Sequence, residues 1–136
     1  MILCLQICDS RGFPFFTRTF AGFPEINGVL LSGMVSAIGS LGQKLFHQDI
    51  ATISFGSGVD LTYMVVIAKN LYFQKKAIYF VFYLKDNCDL KRLREIATTI
   101  YIENKGILNV SNFDVDLLKK KIDVLINTKF SEFQLC

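Results

Sequence analysis

Between Glu25 and Lys44 the chain carries no charge, in a stretch whose apolar residues recur at helical spacing: Ile26 to Phe46, INGVLLSGMVSAIGSLGQKLF. At about 100° per residue, Leu30, Leu31, Met34, Ala37, Ile38, Leu41 and Leu45 gather on one half of the wheel. Gly28, Val29, Ser32, Gly33, Ser36, Gly39, Ser40 and Gln43 take the other. A surface helix ordinarily turns charged side chains to water. Here the non-apolar half is small and uncharged, and small residues let a second backbone come close. The spacing therefore predicts a long helix whose leucine half covers the domain's own core and whose Gly/Ser half is held for a partner. Pro24 and Glu25 suit its first turn, by fixed φ and by charge.

The segments around this helix read as strands and two more helices. ILCLQIC, residues 2–8, is apolar on both faces, as a strand covered on both sides would be. Asp9-Ser10-Arg11-Gly12 supplies turn chemistry, and FPFFTRTF, residues 13–20, returns as a second strand. Pro14 cannot donate to a ladder, which puts that strand at an edge or a bulge. Beyond the long helix, 50–55 alternates as a half-covered strand, 56–60 is a hairpin loop, and 61–68 is a richer apolar strand. The loop 69–76 leads to AIYFVFYL, 77–84, the most apolar strand and hence central. Asp86 and Asn87 offer a cap to a helix over 88–104 that buries Leu90, Leu93, Ala97 and Ile100 and ends at Gly106. Ser111-Asn112-Phe113-Asp114 opens a last helix to about Asn127, with Val115, Leu118, Ile122 and Leu125 inward. Doubly covered strands 1 and 5 and an edge strand 2 fit one antiparallel sheet ordered 2-1-5-4-3. The long helix lies on one face and the last two on the other, an α+β three-layer sandwich. A single domain over 1–136 is expected, with its core in 1–127 and a tail over 128–136.

Composition narrows the classes. At 51% apolar and 20% charged residues the chain is built to bury a core, and its +3 net charge is too small and scattered for nucleic acid. No apolar run reaches the roughly 20 residues of a membrane span free of polar interruption, so membrane association is expected to be peripheral at most. The start, MILCLQICDSRG, lacks the basic region of a signal peptide. Cys4, Cys8, Cys88 and Cys136 form no CxxC pair, and one histidine accompanies them, so neither metal nor zinc site is expected. Reduced, buried thiols in a cytoplasmic protein are the plain reading.

A search for chemistry finds none. Gly56-Ser57-Gly58 lacks the GK[ST] of a phosphate loop and reads as a hairpin turn. His47 has no nucleophile context around it and reads as a loop residue. Asp114, Asp116 and Asp123 share a helix with Lys119, Lys120 and Lys121, a solvated charged face rather than an acid/base pair. Lys75-Lys76 and the basic side of the 88–104 helix are likewise read as solvated. No catalytic residue and no cofactor is assigned.

In its element order and sheet order the chain resembles the longin family. The resemblance spans residues 1 to about 127. It rests on the opening strand-turn-strand ILCLQICDSRGFPFFTRTF, the single long helix before strand 3, and the closing helix pair. The related roadblock fold adds a helix before the first strand. The resemblance implies a non-enzymatic interaction module, a subunit or scaffold in small-GTPase regulation and vesicle trafficking. It also implies pairing, as homodimer or heterodimer with another longin- or roadblock-type chain, through a helix and an adjacent sheet edge. The partner surface expected on that basis is the Gly/Ser half of the long helix with Ala51, Ile53 and Phe55 of strand 3. The alternative is a monomeric adaptor for a peptide or lipid surface. No SNARE coil or CaaX box is seen at Cys136, so fusion activity is not expected.

Overall fold

The computed structural model describes residues 1–20, 25–56, 62–71, 76–85, 88–110 and 113–129. Five antiparallel strands form one sheet: β1 (Ile2–Asp9), β2 (Pro14–Thr19), β3 (Thr52–Phe55), β4 (Thr62–Leu71) and β5 (Lys76–Leu84), in the order β2-β1-β5-β4-β3. Helix α1 (Gly28–Phe46) covers one face. Helices α2 (Leu90–Glu103), α3 (Lys105–Leu108) and α4 (Val115–Lys129) cover the other. This is the longin/roadblock-like arrangement, reached here from the burial pattern of the strands.

Strand alternation builds two cores. Ile78, Phe80, Phe82 and Leu84 of β5 point to α2 and α4, meeting Leu93, Ile96, Ile100, Leu118 and Ile122. Tyr79 and Val81 point the other way, to Leu31 and Val35 of α1. The doubly apolar β1 divides likewise, with Leu5 and Ile7 in the first cluster and Cys8 in the second. Pro14 starts β2, the edge strand, where the ladder to β1 is irregular between Ile7 and Cys8. Arg18 ties that edge to α4, its guanidinium 3.0 Å from Asp123 and 3.3 Å from Asn127.

Several boundaries differ from the sequence reading. Helix α1 starts at Gly28, because the Asn27 side chain accepts from the Leu30 N–H and caps it, so Glu25 lies outside the first turn. Asp89 caps α2; Asp86 and Asn87 lie outside the described residues. Leu90, first in the helix, is exposed, and Ile96 takes the inward place. Gly106 does not end this helix: α2 stops at Glu103, Asn104 breaks it, and Gly106 sits inside the short α3. Asp114 accepts from the N–H groups of Asp116 and Leu117 and so caps α4, while Ser111 and Asn112 are not described. Strand β3 is shorter than expected, and β4 runs on to Leu71 where a loop was expected. The hairpin at 57–61, the loop at 72–75 and the tail at 130–136 lie outside the described residues.

The largest difference is the rotation of α1. Leu31, Ser32, Val35 and Gly39 are its buried residues, whereas Leu30, Leu41 and Leu45 are 70%, 57% and 67% exposed. The buried side therefore cuts across both halves, taking Ser32 and Gly39 from one and Leu31 from the other, and most of the leucine half faces water. Two glycines mark the difference. A side chain at Gly39 would meet the Tyr79 hydroxyl at 3.0 Å, whereas one at Gly33 would meet nothing within 4 Å. Gly33→Ala is therefore expected to stabilise the fold by about 0.5–1 kcal/mol, the helix cost of glycine relieved without a clash. Gly39→Val is expected to cost about 1–3 kcal/mol by overpacking. Urea unfolding of the two variants checks both signs.

Candidate functional site

The β1–β2 turn explains how α1 is seated. Asp9 is buried, and its Oδ1 accepts from the N–H groups of Arg11 and Phe13, closing the turn from within. Gly12 sits at φ +89°, and a Cβ there would lie 3.4 Å from that of Ser36. Two turn carbonyls then receive the helix. Ser32 Oγ donates to the Gly12 carbonyl and Ser36 Oγ to the Ser10 carbonyl, each at 2.7 Å. At the helix start, Gln6 Nε2 donates to the Gly28 carbonyl at 2.7 Å and to Thr17 Oγ1 at 3.2 Å. Gly28 is required close by, since a Cβ there would approach Thr17 Oγ1 to 2.9 Å.

These bonds separate the residues expected at a partner surface. Gly28, Ser32, Ser36 and Gly39 belong to the contact between α1 and its own sheet, which corrects the expectation that they await a partner. The reason is chemical: hydroxyls and missing side chains serve a close approach inside the fold as well as between chains. Val29, Gly33, Ser40 and Gln43 are exposed, and Gln43 Nε2 donates to Asp49 beyond the helix end. On β3, Ile53 is buried with Met64 and Val66 and so cannot be offered to a partner, whereas Ala51 and Phe55 are exposed.

The surface that α1 does present is apolar. Leu30, Ala37, Leu41 and Leu45 are exposed along one stripe, with half-buried Met34 among them. Their spacing was legible in the sequence; its direction was not. Within this described set no charged residue interrupts the stripe before Lys44. The outer edge of β3 pairs with no described strand, and Phe55 stands at its end, 49% exposed. Helix α1 is, among the described residues, the one helix long and apolar enough to cross a membrane. Here it forms a layer of the domain, bonded to the turn through Ser32 and Ser36.

Other candidates stand apart. His47 is the exposed C-cap of α1, in the left-handed region at φ 54°. Among the described residues no three His, Cys, Asp or Glu side chains converge as metal ligands. Asp114 and Asp116 are exposed beside the lysines, as expected; Asp114 in addition caps α4, and Asp123 holds Arg18. Cys4 and Cys8 are free and buried; Cys88 is disulfide-bonded, which corrects the reading of it as a reduced thiol. Burial pushes the Cys4 thiol up to about 11, and burial together with the Asp9 charge pushes Cys8 up to about 12. Neither is a ready nucleophile. A cleft between α2 and α4, lined by Asn104 and two lysines, was not found from the sequence. The only signal was a polar Asn-Lys-Gly interruption in an otherwise helical pattern.

No protein-family model and no curated protein sequence matches the chain. Among solved structures it is similar to the gliding protein MglB of Thermus thermophilus, with 12% identity over 69% of this chain and 68% of that one, at a TM-score of 0.47. It is also similar to MglB of Myxococcus xanthus, with 14% identity over 83% of each chain, at a TM-score of 0.46. The fold assignment rests on the chain's own sheet order and layers.

Two outcomes follow from this geometry. Ser36→Arg should lower stability by about 1–3 kcal/mol, because it removes the bond to the Ser10 carbonyl and overfills the contact with Gly12; thermal unfolding reads this directly. The thiols give a pH dependence. The folded chain keeps the Cys4 and Cys8 protons where the unfolded chain, with thiols at the ordinary 9.0, releases them. Their contribution is complete below pH 9 and is lost as the pH rises toward 11 and 12. The melting temperature should fall over that range, and fall less steeply in a Cys4→Ala/Cys8→Ala variant.

Proposed function

We propose that this protein is a non-enzymatic longin/roadblock-type interaction module that pairs with a second chain of the same fold through the outer face of α1 and the edge of β3. In this reading the pair acts as a subunit or scaffold in small-GTPase regulation and vesicle or membrane trafficking. The observation that carries it is the exposed apolar stripe Leu30–Ala37–Leu41–Leu45. Contiguous exposed apolar surface on a folded domain marks an interaction site. A stable interface buries on the order of 800 Å² per partner, more than one helical stripe supplies. The free β3 edge, with Ala51 and Phe55 exposed, supplies the remainder and gains the protection that an unpaired edge needs. The GTPase and trafficking part of the reading comes from the longin resemblance.

The test is Leu41→Glu with Leu45→Arg, which places opposite charges on the stripe. Both side chains are exposed, so stability should move by no more than about 0.5 kcal/mol. Sedimentation velocity should show a dimer for the wild type and a monomer for the variant. An unchanged mass in the variant rejects the interface. Small GTPases of the native cell, loaded with either nucleotide, should bind the wild type and lose binding with the pair broken; if none binds the wild type, the GTPase reading fails while the dimer stands.

A further inference from the structure

Cys88 stands one residue before Asp89, the cap of α2. It is half-buried against the larger core cluster, and its sulfur is held in a disulfide. A disulfide needs a second sulfur, and the rest of the sequence offers three: Cys4, Cys8 and Cys136. Cys4 and Cys8 are free, both buried in β1. Cys136, in the segment 130–136 beyond α4, is the one that remains.

Chain length permits the match. Helix α4 ends beside the end of α2: Thr128 and Asn104 border one cleft, and Lys129 Nζ lies 2.7 Å from Glu103 Oε1. From there back to Cys88 is the length of α2, whose 14 residues rise about 20 Å. The seven residues 130–136 reach up to about 24 Å when extended. The bond itself spans about 5.5 Å more between Cα atoms.

We propose that Cys88 and Cys136 form a redox-responsive clasp, which when oxidised ties the segment 130–136 back to the start of α2 and when reduced releases it. The oxidised clasp closes one covalent loop around α2, α3 and α4 and keeps Phe130, Phe133 and Leu135 with the domain. The step balances with a small-molecule disulfide such as oxidised glutathione. The Cys88 thiolate attacks that disulfide, releasing one glutathione thiol and leaving a mixed disulfide on Cys88. The Cys136 thiolate then attacks the Cys88 sulfur and releases the second. Two protein thiols are thereby oxidised and one glutathione disulfide is reduced; a dithiol reductant reverses the exchange. Cys4 and Cys8 stay out of it, since burial holds their thiols protonated and unable to attack. No residue of α1 or β3 takes part, so the clasp stands or falls independently of the dimer.

Peptide mapping of the full chain, incubated with oxidised glutathione and digested without reductant, tests the bond. The peptide carrying Cys88 should be joined to the one carrying Cys136, with Cys4 and Cys8 alkylated only after unfolding. Dithiothreitol should lower the melting temperature of the wild type by about 10 °C, because the closed loop is long. Cys136→Ser should melt at that lower temperature with or without dithiothreitol. Chymotrypsin reads the release: cleavage at Phe130 and Phe133 should quicken about tenfold on reduction of the wild type, and Cys136→Ser should be cut at the faster rate throughout. A free Cys88 in the oxidised chain, or Cys88 joined to Cys4, to Cys8 or to a second chain, overturns the proposal. So does a wild type whose melting or cleavage is indifferent to dithiothreitol, or a Cys136→Ser variant that responds to it equally.

Discussion

The hydroxyls of Ser32 and Ser36 reach the carbonyls of Gly12 and Ser10, and the placement of α1 follows from those two bonds. They act at short range, across a contact where Gly12 has no side chain to hold the helix away. A third anchor at the other end, Gln6 to the Gly28 carbonyl, prevents the helix from swinging about that contact. Three anchors on one side of a helix fix its rotation about its own axis. Rotation in turn decides which side chains meet water. The exposed leucine stripe is a consequence of where the serines are bonded.

The two faces of the sheet are unequal, and that inequality gives the molecule its direction. On the α2–α4 face, Phe80, Phe82, Leu5 and Ile7 meet Leu93, Ile96, Ile100, Leu118 and Ile122 in the larger cluster. On the α1 face a smaller cluster of Cys8, Leu31, Val35, Ile53, Tyr79 and Val81 is covered by one helix. Because that helix approaches through glycine and serine, it has more apolar residues than its own core can use. The surplus is the proposed pairing surface. The opposite face buries the larger cluster and leaves polar residues around Asn104, Lys120 and Lys121.

Much of the architecture was legible in the residues. Pro14 marks an edge strand because it lacks a donor, and ILCLQIC and AIYFVFYL are apolar on both faces because helices cover both. Those features are local and are enough to order the sheet. Helix starts were less legible: Asn27, Asp89 and Asp114 all cap helices, yet several neighbouring residues could have done so. At the end of α2, Gly106 looked like the stop, but Asn104 takes that role by bonding back to Ile100.

The sequence by itself determined that there are five strands, their order, and that the stretch 26–46 holds a helix with one leucine half and one small half. Those properties depend on periodicity and on the transfer of apolar side chains from water, both of which are read along the chain. Only the tertiary structure decided the helix's rotation, which turns Leu31, Ser32, Val35 and Gly39 inward and leaves Leu30, Leu41 and Leu45 in water. Apolar transfer favours burying the leucines, but the serine hydroxyls and the glycine gaps match a turn lying 20 and 26 residues earlier. Hydrogen bonds between such distant residues leave no periodic trace. The same holds for the cleft at Asn104, which forms only where α2 and α4 lie side by side.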